Sequence, residues 1–168
     1  MLKKSVIPII LLFFIGWAGF SVWQMIWYRS LIPQKIETHW WPVAIDGKIG
    51  LMYACGAAIF EMKASTAKAI DTQGLDFFEN PEEVQASGLF RTKKHYYSNW
   101  KETPLGLGKL TDGGYADIVG CNSSLSPIEK RAIAHAAFEK GGYYPRGSEN
   151  ARLLVLPSLK LVLFTYGK

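Results

Sequence analysis

The chain has 168 residues, a formal net charge of +5 and two cysteines. Three of its 19 basic residues, Lys3, Lys4 and Arg29, flank an apolar run, which leaves 16 basic and 14 acidic residues elsewhere. This near balance argues against nucleic acid as a partner, because a nucleic-acid-binding domain would carry a basic surface. The 139 residues after Arg29 suffice for one domain and not for two.

Residues 6–28 contain no charged side chain. A helix rises 1.5 Å per residue, so about 20 apolar residues cross the roughly 30 Å hydrocarbon core of a bilayer. Two later apolar stretches, 50–60 and 153–166, are too short or are interrupted by proline and lysine. We therefore predict a single membrane anchor over residues 1–29, with the lipid bilayer as a partner.

The charges beside the run favour one orientation. Lys3 and Lys4 precede the run, and positive charge is retained on the cytoplasmic side of a membrane. We expect a cytoplasmic N-terminus and an extracytoplasmic domain, most simply at a bacterial inner membrane with the domain in the periplasm. The alternative is a signal peptide cleaved near Ala18, after which the domain would be secreted. Aromatic residues that prefer the headgroup level stand at the far end of the run, namely Trp23, Trp27 and Tyr28.

After a juxtamembrane linker over residues 30–39, the domain is predicted to occupy residues 40–168. A strand is expected over residues 40–45, followed by a hairpin turn at Asp46-Gly47, because both residues tolerate positive φ. Residues 48–62 then form the return strand, although a helix over 51–62 is an alternative because alanine is frequent there.

Three helices are predicted in the domain. The first covers residues 67–73 and ends at Gly74. The second starts at Pro81, where glutamates follow in the first turn. The third starts at Ser126, since Pro127 and Glu129 complete a capping box, and it runs to residue 140.

The remaining segments are interpreted as strands. Residues 89–100 are rich in aromatic side chains and are interpreted as one or two strands. They are followed by a glycine-rich loop over residues 103–114. The stretches 152–156 and 159–166 form a terminal hairpin whose strands are apolar on both faces, which predicts a central position in the sheet. The fold class is therefore α+β: one membrane helix, then an antiparallel sheet with two or three short helices.

Cys55 and Cys121 are the two cysteines of the chain. An extracytoplasmic domain lies in an oxidising compartment, which favours a disulfide between them. Two buried free thiols are the alternative. Cys55 with His95 or His135 as base would make a cysteine enzyme, but the sequence around Cys55 is typical of a core strand.

Basic and aromatic residues alternate between Phe90 and Lys101, an arrangement that suits polyanions, stacked sugars or anionic lipid headgroups. An amphipathic strand with its aromatic side chains in the core has the same pattern. The candidate binding patch comprises Arg91, Lys93, Lys94, Tyr96, Tyr97 and Trp100.

The sequence shows no catalytic constellation, cofactor fingerprint or set of metal ligands at a suitable spacing. We therefore expect no cofactor, and a non-enzymatic envelope protein that binds a protein partner or serves as an accessory subunit. The alternative is an enzyme or binding module that acts on envelope polysaccharide or lipid through the candidate binding patch.

Overall fold

The computed structural model describes residues 3–49, 54–87, 92–104, 124–146 and 151–167. In this part of the chain one long helix precedes seven antiparallel strands and two shorter helices, which confirms the predicted α+β fold. The helices are α1 (Lys3–Arg29), α2 (Ala64–Gln73) and α3 (Pro127–Phe138), and short 3-10 segments cover Gly74–Phe78 and Pro157–Leu159. The strands are β1 (Thr38–Ile49), β2 (Ala54–Met62), β3 (Glu82–Ser87), β4 (Thr92–Glu102), β5 (Tyr143–Arg146), β6 (Ala151–Leu156) and β7 (Leu161–Gly167).

The strand order is β1-β2-β7-β6-β5-β4-β3, so β6 and β7 lie in the middle of the sheet and β1 and β3 at its edges. The central position of the terminal hairpin is thus confirmed. Side chains alternate between the two faces of a strand, and both faces of β6 and β7 are buried. A sheet that is covered on both sides requires strands without a polar face, as these strands show.

One face of the sheet is covered by the end of α1, the linker, α2 and the first 3-10 segment. Its core contains Phe60 of β2, Val155 of β6 and Phe164 of β7, which contact Tyr28 of α1 and Ile70 of α2. We call this the inner face.

The opposite face is covered by α3. Ile59, Leu154 and Leu163, which neighbour the inner-face residues in sequence, pack here against Ile133 and Ala137 of α3. We call this the outer face. The period of two along each strand therefore divides the core into two layers.

The sheet is strongly curled. The rings of His95 on β4 and Phe164 on β7 have centroids 6.0 Å apart, although β5 and β6 separate the two strands in the strand order. In a flat sheet three strand spacings would hold them roughly 14 Å apart. The curl brings β3 and β4 over the inner face, and the end of α1 contacts both β1 and β3.

The predicted turn at Asp46-Gly47 is wrong. Both residues lie inside the β1–β2 ladder, where Asp46 pairs with Ala57 and Gly47 with Gly56. The Asp46 carboxylate accepts hydrogen bonds from the Gly47 amide at 2.9 Å and the Ser124 amide at 3.1 Å. The aspartate thus joins β1 to the segment before α3, a long-range contact that the dipeptide signal does not encode.

The predicted helix at Pro81 is also wrong, because residues 82–87 form β3. Val84 packs in the inner core, and the carboxylate of Glu83 lies 2.8 Å from the Lys94 ammonium on β4. A cross-strand ion pair therefore takes the place of the expected interaction with a helix dipole.

Other local predictions are confirmed. Ser126 caps α3: its hydroxyl accepts from the Glu129 amide, and the Glu129 carboxylate accepts from the Ser126 amide at 2.8 Å. Hydrogen bonds from the Ser126 side chain and from its backbone amide to the Glu129 carboxylate lower the pKa of Glu129 below its usual value. Gly74 ends α2 at a φ of 60°, although α2 begins three residues earlier than predicted.

Candidate functional site

Helix α1 has two parts that differ in their surroundings. Residues 10–29 form a helix long and apolar enough to cross a membrane, with a mean hydropathy of 1.6 and 6% of its most apolar window buried. Its last turn is different, because Met25 and Tyr28 are buried against the domain. The apolar helix therefore runs directly into the domain core.

Tyr28 holds the end of α1 on the sheet. Its ring stacks on that of Tyr166 with centroids 6.4 Å apart and contacts the Phe164 ring edge-on at 6.0 Å. These two tyrosine rings cover Gly56 of β2, where an added Cβ would lie 2.7 Å from Tyr166 Cζ and closer still to the Tyr28 hydroxyl. Glycine at position 56 is thus required by close approach of the rings.

The linker after α1 is also part of the core. Leu31, Ile32 and Ile36 are buried, and the Tyr97 hydroxyl of β4 donates a 2.9 Å hydrogen bond to the Leu31 carbonyl. Burial raises the pKa of Tyr97. The Gln34 amide donates to the Glu82 carboxylate on β3. These contacts fix the direction in which α1 leaves the domain.

A groove of about 790 Å³ lies where α1, the linker, the start of β1 and the edge strand β3 meet. Apolar and charged side chains share its lining, and they include Ile26, Arg29, Ile32, Ile36, Glu37, Trp40, Lys63, Glu83 and Val84. The groove exists because the curled sheet leaves an opening between its two edge strands, which the linker fills only in part.

The charges of this groove are unequally paired. Glu37 lies 3.0 Å from Lys63, and Glu83 lies 2.8 Å from Lys94. Arg29 forms no ion pair with any carboxylate in the described residues; its Nη1 donates to the His39 carbonyl at 3.2 Å. Its guanidinium carbon lies 4.7 Å from the centroid of the Trp40 ring, a cation–π geometry.

Three large apolar side chains of β1 are exposed, and one of them, Trp40, lines the groove. Trp40 is 52% exposed, Trp41 is 68% exposed and Val43 is 50% exposed. Register shifts in the β1–β2 ladder flank Pro42, so the strand is irregular at this point. An apolar surface on an edge strand is typical of a site that another molecule covers.

The structure divides the candidate binding patch between two environments. Lys94 and Tyr96 face solvent; Lys94 pairs with Glu83, and Tyr96 is 54% exposed. Arg91 and the side chain of Lys93 lie outside the described residues. Ligand binding by the solvent-facing residues of the patch, Lys94 and Tyr96, stays a prediction.

The other two patch residues face the inner core. Tyr97 is 0% exposed. The Trp100 ring stacks on that of Phe78 with centroids 4.2 Å apart, and its buried Nε1 has no hydrogen-bond acceptor in the described part of the chain. These two aromatic residues therefore stabilise the fold and are not available to stack on a ligand at the surface.

The predicted interface aromatics also differ in position. Trp23 is partly exposed, with its ring 5.8 Å from that of Phe20. The Trp27 ring packs on those of Tyr28 and Tyr166. Tyr28 is a core residue, because its ring is buried under β7. Among the ring contacts of the described residues, those of Trp27 and Tyr28 reach β7, whereas that of Trp23 stays within α1.

Cys55 is buried near Ala57, and no cysteine in the described ranges is a free thiol. Cys121 lies outside those ranges, so its pairing with Cys55 stays a prediction. His135 lies on α3 with its Nδ1 3.4 Å from the Glu139 carboxylate. His95 packs its ring against Tyr97 and Phe164. Within the described segments, no three His, Cys, Asp or Glu side chains cluster as metal ligands would.

The groove was missed by sequence reasoning because its lining comes from three separate stretches of the chain, residues 26–40, Lys63 and residues 83–85. One signal was present: Leu31, Ile32 and Ile36 are apolar in a segment that would otherwise be a solvated spacer. No protein-family model, curated protein or solved structure matches the chain.

Proposed function

We propose that the chain is a single-pass membrane protein whose domain rests directly on the bilayer surface and binds a protein partner there without catalysing a reaction. The observation that carries this proposal is the junction between α1 and the domain. Residues 5–24 are uncharged, and these 20 residues span about 30 Å as a helix, the thickness of a bilayer core. The turn that follows is already packed in the domain, so no spacer separates the domain from the membrane surface.

The proposed orientation places the N-terminus in the cytoplasm and the domain outside, as the lysines at positions 3 and 4 favour. A disulfide between Cys55 and Cys121 belongs to the same proposal, since it would persist in an oxidising envelope compartment. Cleavage near Ala18 would instead release the domain, and the intact mass of the purified protein distinguishes the two forms.

The orientation is tested by labelling intact cells with a membrane-impermeant maleimide. We expect labelling only after reduction under mildly unfolding conditions, because both thiols are then exposed outside the membrane. Labelling that requires permeabilisation of the membrane would place the domain in the cytoplasm and contradict the proposal. Rapid labelling of Cys55 without reductant would reopen the cysteine-enzyme hypothesis.

The proposed surface for the partner is the exposed part of the edge strand β1 around Trp41 and Val43. An edge strand with unpaired backbone groups and large apolar side chains favours association with another protein. This surface lies next to the end of α1, because Arg29 contacts both the His39 carbonyl and the Trp40 ring. A membrane protein bound there would therefore lie beside the helix in the same bilayer.

A photo-crosslinking amino acid at position 41, expressed in native membranes, tests this surface. The matched control is position 128, because Ile128 on α3 is also apolar and is 78% exposed, but lies on the outer face. We expect a discrete crosslinked species at position 41 and none at position 128. Equal yields at both positions, or no adduct at position 41, would refute the assignment.

A further inference from the structure

The exposed face of α1 is apolar up to Ile26 and becomes basic at Arg29, where the helix reaches the groove. Val22 and Ile26 are four residues apart on the helix, and Arg29 follows three residues later, so the three side chains share one stripe. Val22 and Ile26 are exposed apolar residues, and Arg29 is the cation that ends the helix. The stripe therefore offers an apolar surface followed by a positive charge, at the mouth of the groove.

Most N–H donors of the Arg29 guanidinium have no acceptor in the described residues. A guanidinium carries five N–H donors in a planar fork, and one of them binds the His39 carbonyl. Both glutamates that line the groove already have lysine partners, Lys63 and Lys94. An anion that enters the groove would thus meet a guanidinium that has no carboxylate partner in the described residues. The two glutamates there would repel it less than free carboxylates would, because each is paired with a lysine.

We propose that this groove binds the headgroup of an anionic phospholipid. The phosphate accepts hydrogen bonds from Arg29, the polar headgroup occupies the groove, and an acyl chain lies along Val22 and Ile26. Trp40 lies beside the phosphate site, and its amphipathic ring suits the boundary between headgroups and acyl chains. A phospholipid combines an anionic phosphate with an apolar tail, which matches the order of surfaces along the stripe.

This inference rests on the proposed membrane anchoring, but its test is separate. The full chain is purified in a neutral detergent, and native mass spectrometry measures its binding of phosphatidylglycerol and of phosphatidylcholine. Anchoring is measured independently, by resistance of the chain to alkaline carbonate extraction. A chain that is extracted by carbonate but still prefers phosphatidylglycerol would refute only the membrane proposal. A chain that resists extraction but shows no lipid preference would refute only the lipid site.

We expect the wild-type chain to prefer phosphatidylglycerol. Arg29→Gln should weaken that binding about fivefold, the effect of one basic residue near an anionic surface, and should weaken the binding of phosphatidylcholine less, because its choline ammonium cancels the charge of its phosphate. Arg29→Lys, which keeps the charge but loses the fork, should fall between the two. The matched control is Arg131→Gln on α3, an exposed arginine on the outer face, which should bind phosphatidylglycerol like the wild type.

Equal affinities of the Arg29→Gln and Arg131→Gln variants would overturn the proposal. Displacement of the lipid by millimolar inorganic phosphate would also overturn it, because the site would then take a free anion. A photoactivatable phosphatidylglycerol tests the wild-type chain even where a variant fails to fold. Its adducts should concentrate on residues 22–41, and an even distribution along α1 would contradict a defined site.

Discussion

Replacing Tyr97 by phenylalanine removes a hydroxyl that connects β4 to the linker. The Tyr97 hydroxyl donates to the Leu31 carbonyl at 2.9 Å, and both residues are fully buried. In the variant the carbonyl stays buried, whereas in the unfolded chain it is solvated by water. No other donor to this carbonyl occurs in the described residues.

The magnitude follows from the cost of an unsatisfied buried acceptor, about 1–3 kcal/mol. We therefore expect Tyr97→Phe to lower the free energy of unfolding by about 1–3 kcal/mol. For a chain of this size each kcal/mol shifts Tm by roughly 2–4 °C, so Tm should fall by about 2–12 °C.

The assay is thermal unfolding of the full chain in detergent, followed by near-UV circular dichroism, with Tyr96→Phe as the matched control. Tyr96 is adjacent in sequence and 54% exposed, and its hydroxyl makes no hydrogen bond in the described structure, so its variant should change stability by less than about 0.5 kcal/mol. Equal Tm values for the two variants would show that the linker is not held through this hydrogen bond.

Three further predictions concern other contacts. Gly56→Ala should destabilise the domain by about 1–3 kcal/mol because a Cβ would collide with two tyrosine rings, whereas Gly47→Ala, its ladder partner with a nearest contact of 3.5 Å, should be neutral in urea unfolding. Ser126→Ala should lower the free energy of unfolding by about 1 kcal/mol at neutral pH, measured by urea unfolding. Because the pKa of Glu129 is lower in the folded state, its interaction with Ser126 stabilises fully above the unfolded pKa and is lost as pH falls through the folded pKa, so the difference between variant and wild type should shrink at low pH. Tyr97 has a raised pKa, so its stabilisation is complete below about pH 10 and decreases above it by about 1.4 kcal/mol per pH unit; urea unfolding between pH 9 and 11 should show a smaller decline for Tyr97→Phe. An unchanged pH slope in that variant would contradict this assignment.

Where local interactions decide a structure, the sequence predicted it. The capping box at Ser126 is complete within four residues, so α3 starts where its sequence indicates. Apart from Thr165, the buried positions of the terminal strands are apolar, and such strands are stable in the middle of a sheet. The uncharged run of α1 needs only length and composition to be recognised.

Where a local signal competes with contacts to distant residues, the prediction from sequence was wrong. Asp46-Gly47 has the composition of a tight turn, yet extended pairing with β2 and a hydrogen bond to Ser124 keep both residues in a strand. The acidic residues after Pro81 resemble a helix start, yet the Lys94 ion pair and burial of Val84 favour β3.

The sequence by itself determined that this chain has an N-terminal apolar helix followed by an α+β fold, because periodicity, capping and hydropathy are local properties. Only the tertiary structure decided how the two are joined. The curl of the sheet places β1 and β3 on either side of the linker, and this brings Glu83 and Val84 of β3 to the groove that Arg29 and Trp40 also line. That arrangement depends on contacts between residues far apart in the chain, which no local pattern records.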